Sequence, residues 1–168
     1  LIRLRQDMLE NSNVGMIVTS VNRDGKLPAM TAGLDWSLKF LESVYRVDGF
    51  VAGSRTMDSF SELVDGTAGK FNLSKDGGPN WRGFASFDWT SKKYNINDIG
   101  FFRRANDYAW VGQILYRDDE VTSFKRFWSL GSTYHLRRNF DGAEIIHSGN
   151  LQGEIIFPSY WEVQFKAE

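Results

Sequence analysis

From Ala29 to Phe40 the chain reads AMTAGLDWSLKF, and every second residue is apolar: Met30, Ala32, Leu34, Trp36, Leu38 and Phe40. Thr31, Gly33, Asp35, Ser37 and Lys39 stand between them. A period of two puts the two sets on opposite faces of an extended strand, and no helix can hold that pattern on one side. The alternation returns at Trp81, Gly83, Ala85, Phe87 and Trp89, set against Arg82, Ser86, Asp88 and Thr90, with Phe84 the exception. It returns again at Trp128, Leu130, Tyr134 and Leu136 against Lys125, Ser129, Thr133, His135 and Arg137, and at Trp161, Val163 and Phe165 against Glu162, Gln164 and Lys166. Such a chain must form a sheet with one apolar and one polar face.

The pattern predicts strands at 1–7, 14–22, 29–40, 44–54, 67–74, 81–91, 93–98, 107–117, 123–137, 143–157 and 159–167. Turn chemistry separates them: NRDGK (22–26), DGT (65–67), KDGGPN (75–80), RDDE (117–120) and NFDG (139–142). Asp-Gly supports tight hairpin turns because both residues tolerate positive φ. Pro28, Pro79 and Pro158 sit at segment edges, where a lost amide donor costs little. Short helical turns are weakly supported at 7–12 and 59–66. The expected fold is all-β: an antiparallel meander over 1–168 as one domain, an outer-membrane-type β barrel or part of one.

Composition narrows the partners. Cysteine is absent, which excludes disulfides, thiolate metal sites and a thiol nucleophile. A net charge of -1 gives no global signal for nucleic acid. No apolar run reaches the ~18 residues of a membrane-spanning helix. Aromatics make up 15% of the chain, yet the mean hydropathy is -0.38. The apolar strand faces therefore meet either a protein core or lipid. Strand-like segments of about ten residues suit a tilted crossing of a bilayer, and Trp36 with Phe40, Trp81 with Trp89, and Trp128 with Tyr134 lie near strand ends as interfacial girdles do. On that reading Trp36, Leu38, Phe40, Phe87, Trp89 and Trp161 face lipid; on the other they pack a soluble barrel or sandwich.

Several stretches together carry a resemblance: LIRLRQDMLENSNVGMIVTS (1–20), GLDWSLKF (33–40), YRVDGFVAGS (45–54) and NDIGFFRRANDY (97–108). In this order they resemble the C-terminal, membrane-associated β domain of an uncharacterised bacterial family, a domain of unknown function common in Bacteroidetes. In that family an N-terminal carbohydrate-binding module precedes the β domain. The resemblance implies a segment of an outer-membrane barrel serving as anchor or pore for a glycan-handling protein, and it supplies no catalytic residues. The chain ends QFKAE, without the terminal aromatic usual in such barrels, so further strands are expected to follow.

No catalytic constellation emerges, and neither a cofactor nor a metal is expected. His135, His147 and Glu144 would make an acid–base or metal cluster only if hairpin pairing brought them together. Asp118, Asp119 and Glu120 read as a solvated hairpin tip with room for loose Ca²⁺. KDGGPNWRG (75–83) lacks the Gly-Lys-Ser/Thr ending of a phosphate loop. A glycan-cleaving site would have to draw on Asp35, Asp48 and Asp88, the acidic residues inside strands. Candidate ligand contacts are Arg103, Arg104 and Arg137, whose forked donors suit carboxylates, phosphates and sugars, with Trp110 and Trp128 as aromatic platforms. The competing expectation pairs these arginines with Asp or Glu inside a polar lumen. The expected partners are outer-membrane lipid and carbohydrate, without nucleic acid, and the expected location is the outer membrane, with a periplasmic or secreted protein as the alternative.

Overall fold

The computed structural model describes residues 1–23, 26–57, 62–96 and 104–168. Its elements are β1 (Ile2–Met8), β2 (Ser12–Arg23), β3 (Lys26–Phe40), β4 (Tyr45–Met57), β5 (Leu63–Lys75), β6 (Trp81–Thr90), β7 (Asp107–Asp118), β8 (Phe127–Arg138), β9 (Glu144–Ile156) and β10 (Glu162–Ala167). They form a single ten-stranded sheet in chain order, every neighbouring pair antiparallel. Among the described residues there is no helix. The sheet is open: β1 and β10 each pair on one side only, so the ten strands do not close into a barrel.

Cross-strand register carries the alternation across the whole sheet. Leu34 opposes Met16 on one side and Val51 on the other; Val51 opposes Gly69, Gly69 opposes Trp89, and Trp89 opposes Tyr108. Because directly opposed residues share a face, the apolar sets of all ten strands merge into one continuous surface. Glycines make room on it for large rings. A Cβ at Gly69 would sit 2.2 Å from the Trp89 ring, and one at Gly153 would sit 2.3 Å from the Phe165 ring.

Each strand packs only against its sequence neighbours, so the sheet is one layer thick. The side chains buried on it are small or polar: Ala29, Ala68 and Ala109, with Ser12, Ser54, Thr56, Asn72, Ser74, Ser86 and Asp107. All but Ser12 lie on the polar face by register. Large apolar residues such as Leu34, Phe71, Leu73, Trp110 and Ile114 are exposed on the other. A water-soluble one-sided sheet buries its apolar face and wets its polar one; here the arrangement is inverted. The accessible surface is 11192 Å², against roughly 8,400 Å² for a compact monomer of this mass.

Four local expectations change. DGT at 65–67 lies inside β5 rather than in a turn, because Asp65 pairs with Arg55 across the ladder at 2.6 Å and Gly66 opposes Ser54. The segment expected as a strand at 93–98 is not one where described, at 93–96. Its amides bond locally and sideways instead: Tyr94 N–H donates to Ser91 O at 3.1 Å, and Asn95 N–H to Ser54 Oγ at 3.0 Å. The possible helical turn at 7–12 is the end of β1 followed by a tight turn with Leu9 and Asn11 at positive φ. The helical turn considered at 59–66 falls partly outside the described residues; from Leu63 onward it is β5.

Candidate functional site

The apolar face has defined limits. On β5 it runs from Asp65 to Lys75 with only Thr67, Gly69, Phe71 and Leu73 between them. Ten residues at about 3.3 Å each span about 33 Å along the strand; strands tilted by about 35–45°, as in a membrane barrel, would cover roughly 23–27 Å with that length. Charge marks both rims. At one lie the Arg55–Asp65 pair and Arg138, which donates to Glu144 at 3.1 Å. At the other lie Lys75 and Asp118, the latter receiving Lys125 at 2.9 Å. Aromatic rings gather near these limits. Trp81 meets Tyr116 edge to face and Tyr116 lies tilted against Trp128, with centroids 4.9 and 5.0 Å apart, and Phe40 opposes Tyr45 at the same end. At the opposite end Trp89 opposes Tyr108, whose ring lies 5.3 Å from that of Phe140.

The polar face is built differently. Two arginines reach over a small residue on the middle of three strands to an acid on the third. Arg3 on β1 crosses Gly15 to grip Asp35 on β3 through two bonds, at 2.5 and 2.9 Å; a Cβ at Gly15 would collide with both partners at 2.8 Å. Arg137 on β8 crosses Ala109, fully buried beneath it, to Asp88 on β6 at 3.0 Å, and also donates to buried Asp107 at 2.9 Å. These forked contacts fasten next-but-one strands from the polar side, which is how a sheet curved toward its polar face can be held.

The sequence candidates separate between the faces. Trp36, Leu38, Phe40, Phe87 and Trp89 belong by register to the apolar face, and Trp161 lies in the turn before β10, 75% exposed. Of the ligand candidates, Arg104 and Arg137 converge on Asp107 on the polar side, with Arg104 at 3.4 Å. Trp110 and Trp128 stand on the opposite face, so they do not join the arginines. Trp128 instead donates its indole N–H to Asp118 at 3.2 Å. Arg103 lies outside the described residues. His135 points to the polar face and His147 to the apolar one, where His147 meets Tyr134 Oη at 3.1 Å, so strand pairing separates the two histidines. Among the described residues no group of acids and histidines is arranged to hold a metal ion. Asp35, Asp48 and Asp88 are each held by an arginine and sit on three different strands, which gives no pair of free converging carboxyls.

The described parts of the β6–β7 connection, 91–96 and 104–106, bond to the sheet and to the β8–β9 turn. Tyr94 is buried against the backbone of Gly66, where any Cβ would strike it at 2.2 Å. Burial raises the Tyr94 phenol above its ordinary pKa. Lys92 from this connection meets Asp141 of the β8–β9 turn, and Asn106 donates to the same carboxylate at 2.7 Å. The Lys92 ammonium, followed by the Asn106 amide, holds Asp141 below the usual carboxylate range.

Comparison with known proteins places this chain in the family described as Domain of unknown function (DUF5916), whose model matches residues 1–168. The chain belongs to that family. Neither a curated protein nor a solved structure matches it.

Proposed function

We propose that this chain forms wall of a membrane-embedded β barrel, its apolar face against lipid and its polar face toward an aqueous lumen. The observation that carries this reading is the inversion of the sheet: a continuous apolar face left uncovered in a single layer, with small polar side chains buried on the other side. Charged rims about a bilayer's apolar thickness apart, with aromatics at both ends, support the same reading. A lone sheet with free edges would aggregate in water; the open sides of β1 and β10 are where further strands of a larger barrel would join. In the outer membrane of a Gram-negative, Bacteroidetes-type cell such a wall would act as anchor or pore for a glycan-handling protein, as the family resemblance implies.

The test is fractionation of the full-length protein from its host, followed by detergent extraction and gel electrophoresis of heated and unheated samples. Recovery with the outer membrane and a band that shifts on heating supports the proposal. Recovery as a soluble periplasmic or secreted protein overturns it, and the apolar face then packs against protein in a soluble glycan-binding or glycan-cleaving molecule.

A further inference from the structure

On the polar face, between β4 and β7, lies a groove of about 470 Å³ whose lining includes the buried side chains of Asn72 and Ser74, the cations Arg46, Lys70 and Arg82, and the carboxylates Asp48 and Asp76. Its charge is unbalanced. Arg46 is already shared between Asp48 at 3.2 Å and Asp76 at 3.1 Å. Lys70 stands in register opposite Asp88, but Asp88 turns both oxygens to Arg137, at 3.0 and 3.2 Å. Arg82 gives one terminal nitrogen to the Gly78 and Trp81 carbonyls and meets no acid. Among the described residues, Lys70 and Arg82 have no carboxylate partner, whereas Arg3 and Arg117 on the same face have one each and Arg46 and Arg137 have two.

We infer that this groove binds an oxyanion, a phosphate or carboxylate, carried on a solute of about monosaccharide size. A guanidinium fork and an ammonium without counterions supply charge-assisted donors. Ser74 already accepts from Arg46 at 3.4 Å, which leaves its hydroxyl proton to donate. Phe84 lines the same groove, and the volume lies in the usual range for small-molecule sites. The inference stands on the polar face alone and holds whatever covers the other face.

The experiment is calorimetric titration of the full-length protein in detergent micelles with glucose 6-phosphate, glucuronate and glucose. Saturable binding of either anion and none of glucose is expected, weakened at least tenfold in Lys70→Gln and in Arg82→Gln and unchanged in Lys166→Gln. Should the neutral variants fail to fold, Arg82→Lys keeps the charge but loses the fork, and its affinity for the anions falls several-fold. Absence of saturable heat with both anions, equal binding of glucose, or undiminished affinity in the Lys70 and Arg82 variants overturns the inference.

Discussion

Leu34→Arg and Leu63→Arg form a matched pair that separates lipid from water as the medium of the apolar face. The two leucines are almost equally exposed, at 52% and 53%. They differ in depth. Along β3 the apolar-face positions run from Pro28 through Met30, Ala32, Leu34, Trp36 and Leu38 to Phe40, and Leu34 is the midpoint of that series. Leu63 lies beyond Asp65, outside the band, opposite Met57. In water, replacing either half-exposed leucine should change stability within about 0.5 kcal/mol. In a bilayer, arginine near the midplane of a barrel costs about 2–4 kcal/mol, falling to about 0–1 kcal/mol at the interface. Leu34→Arg should therefore lower the folding equilibrium constant by roughly 30- to 700-fold, and Leu63→Arg by far less. The assay is guanidinium titration of the protein refolded into phosphatidylcholine vesicles, followed by tryptophan emission. Equal costs at the two positions would refute the assignment of this face to lipid, because exposure alone would then account for both.

Further outcomes follow from the polar face, the glycines and the connecting segments. Arg137→Met leaves buried Asp107 and its neighbour Asp88 without their shared cation and should cost about 1.5–3 kcal/mol; adding Asp107→Asn should recover part of it, and additive losses in the denaturation midpoints would rule the coupling out. Gly49→Ala drives a Cβ to 2.1 Å from the Lys70 carbonyl, whereas at Gly53 the nearest atom is 3.9 Å away; the first should cost about 1–3 kcal/mol and the second little, read from the same titrations. Asp141 has its pKa depressed in the folded state, so its contribution to holding 91–96 against the β8–β9 turn is present above the ordinary carboxylate pKa and is lost as pH falls through the lower folded value. Amide exchange in 91–96 should accelerate on acidification below about pH 4, and exchange independent of pH-corrected chemistry there would contradict the role of Asp141.

Much of the fold was legible because a period of two is a direct record of strand geometry. Trp81 to Trp89 and Met30 to Phe40 declared their faces without any partner in view, and DGG and FDG marked turns where Gly78 and Gly142 do adopt positive φ. What escaped depends on a second strand. DGT reads as a turn from its residues alone, but Asp65 is fixed by Arg55 and Gly66 by Tyr94, both distant in sequence. The site was less legible for the same reason. Arg137 and Trp110 look like neighbours in an aromatic–basic cluster until register assigns them to opposite faces, and Lys70 and Arg82 draw attention only once Asp88 is seen to be committed to Arg137.

The bridges of the polar face also bear on how the sheet is held together. A single layer in which each strand meets only its sequence neighbours has no core to resist flattening. Arg3–Asp35 and Arg137–Asp88 link strands two apart, and each needs a residue no larger than alanine on the strand between, Gly15 in one case and Ala109 in the other. Small residues thus serve both faces of the described sheet: Gly15 and Ala109 let the two ion pairs cross on the polar side, and Gly69 and Gly153 make room for the Trp89 and Phe165 rings on the apolar side.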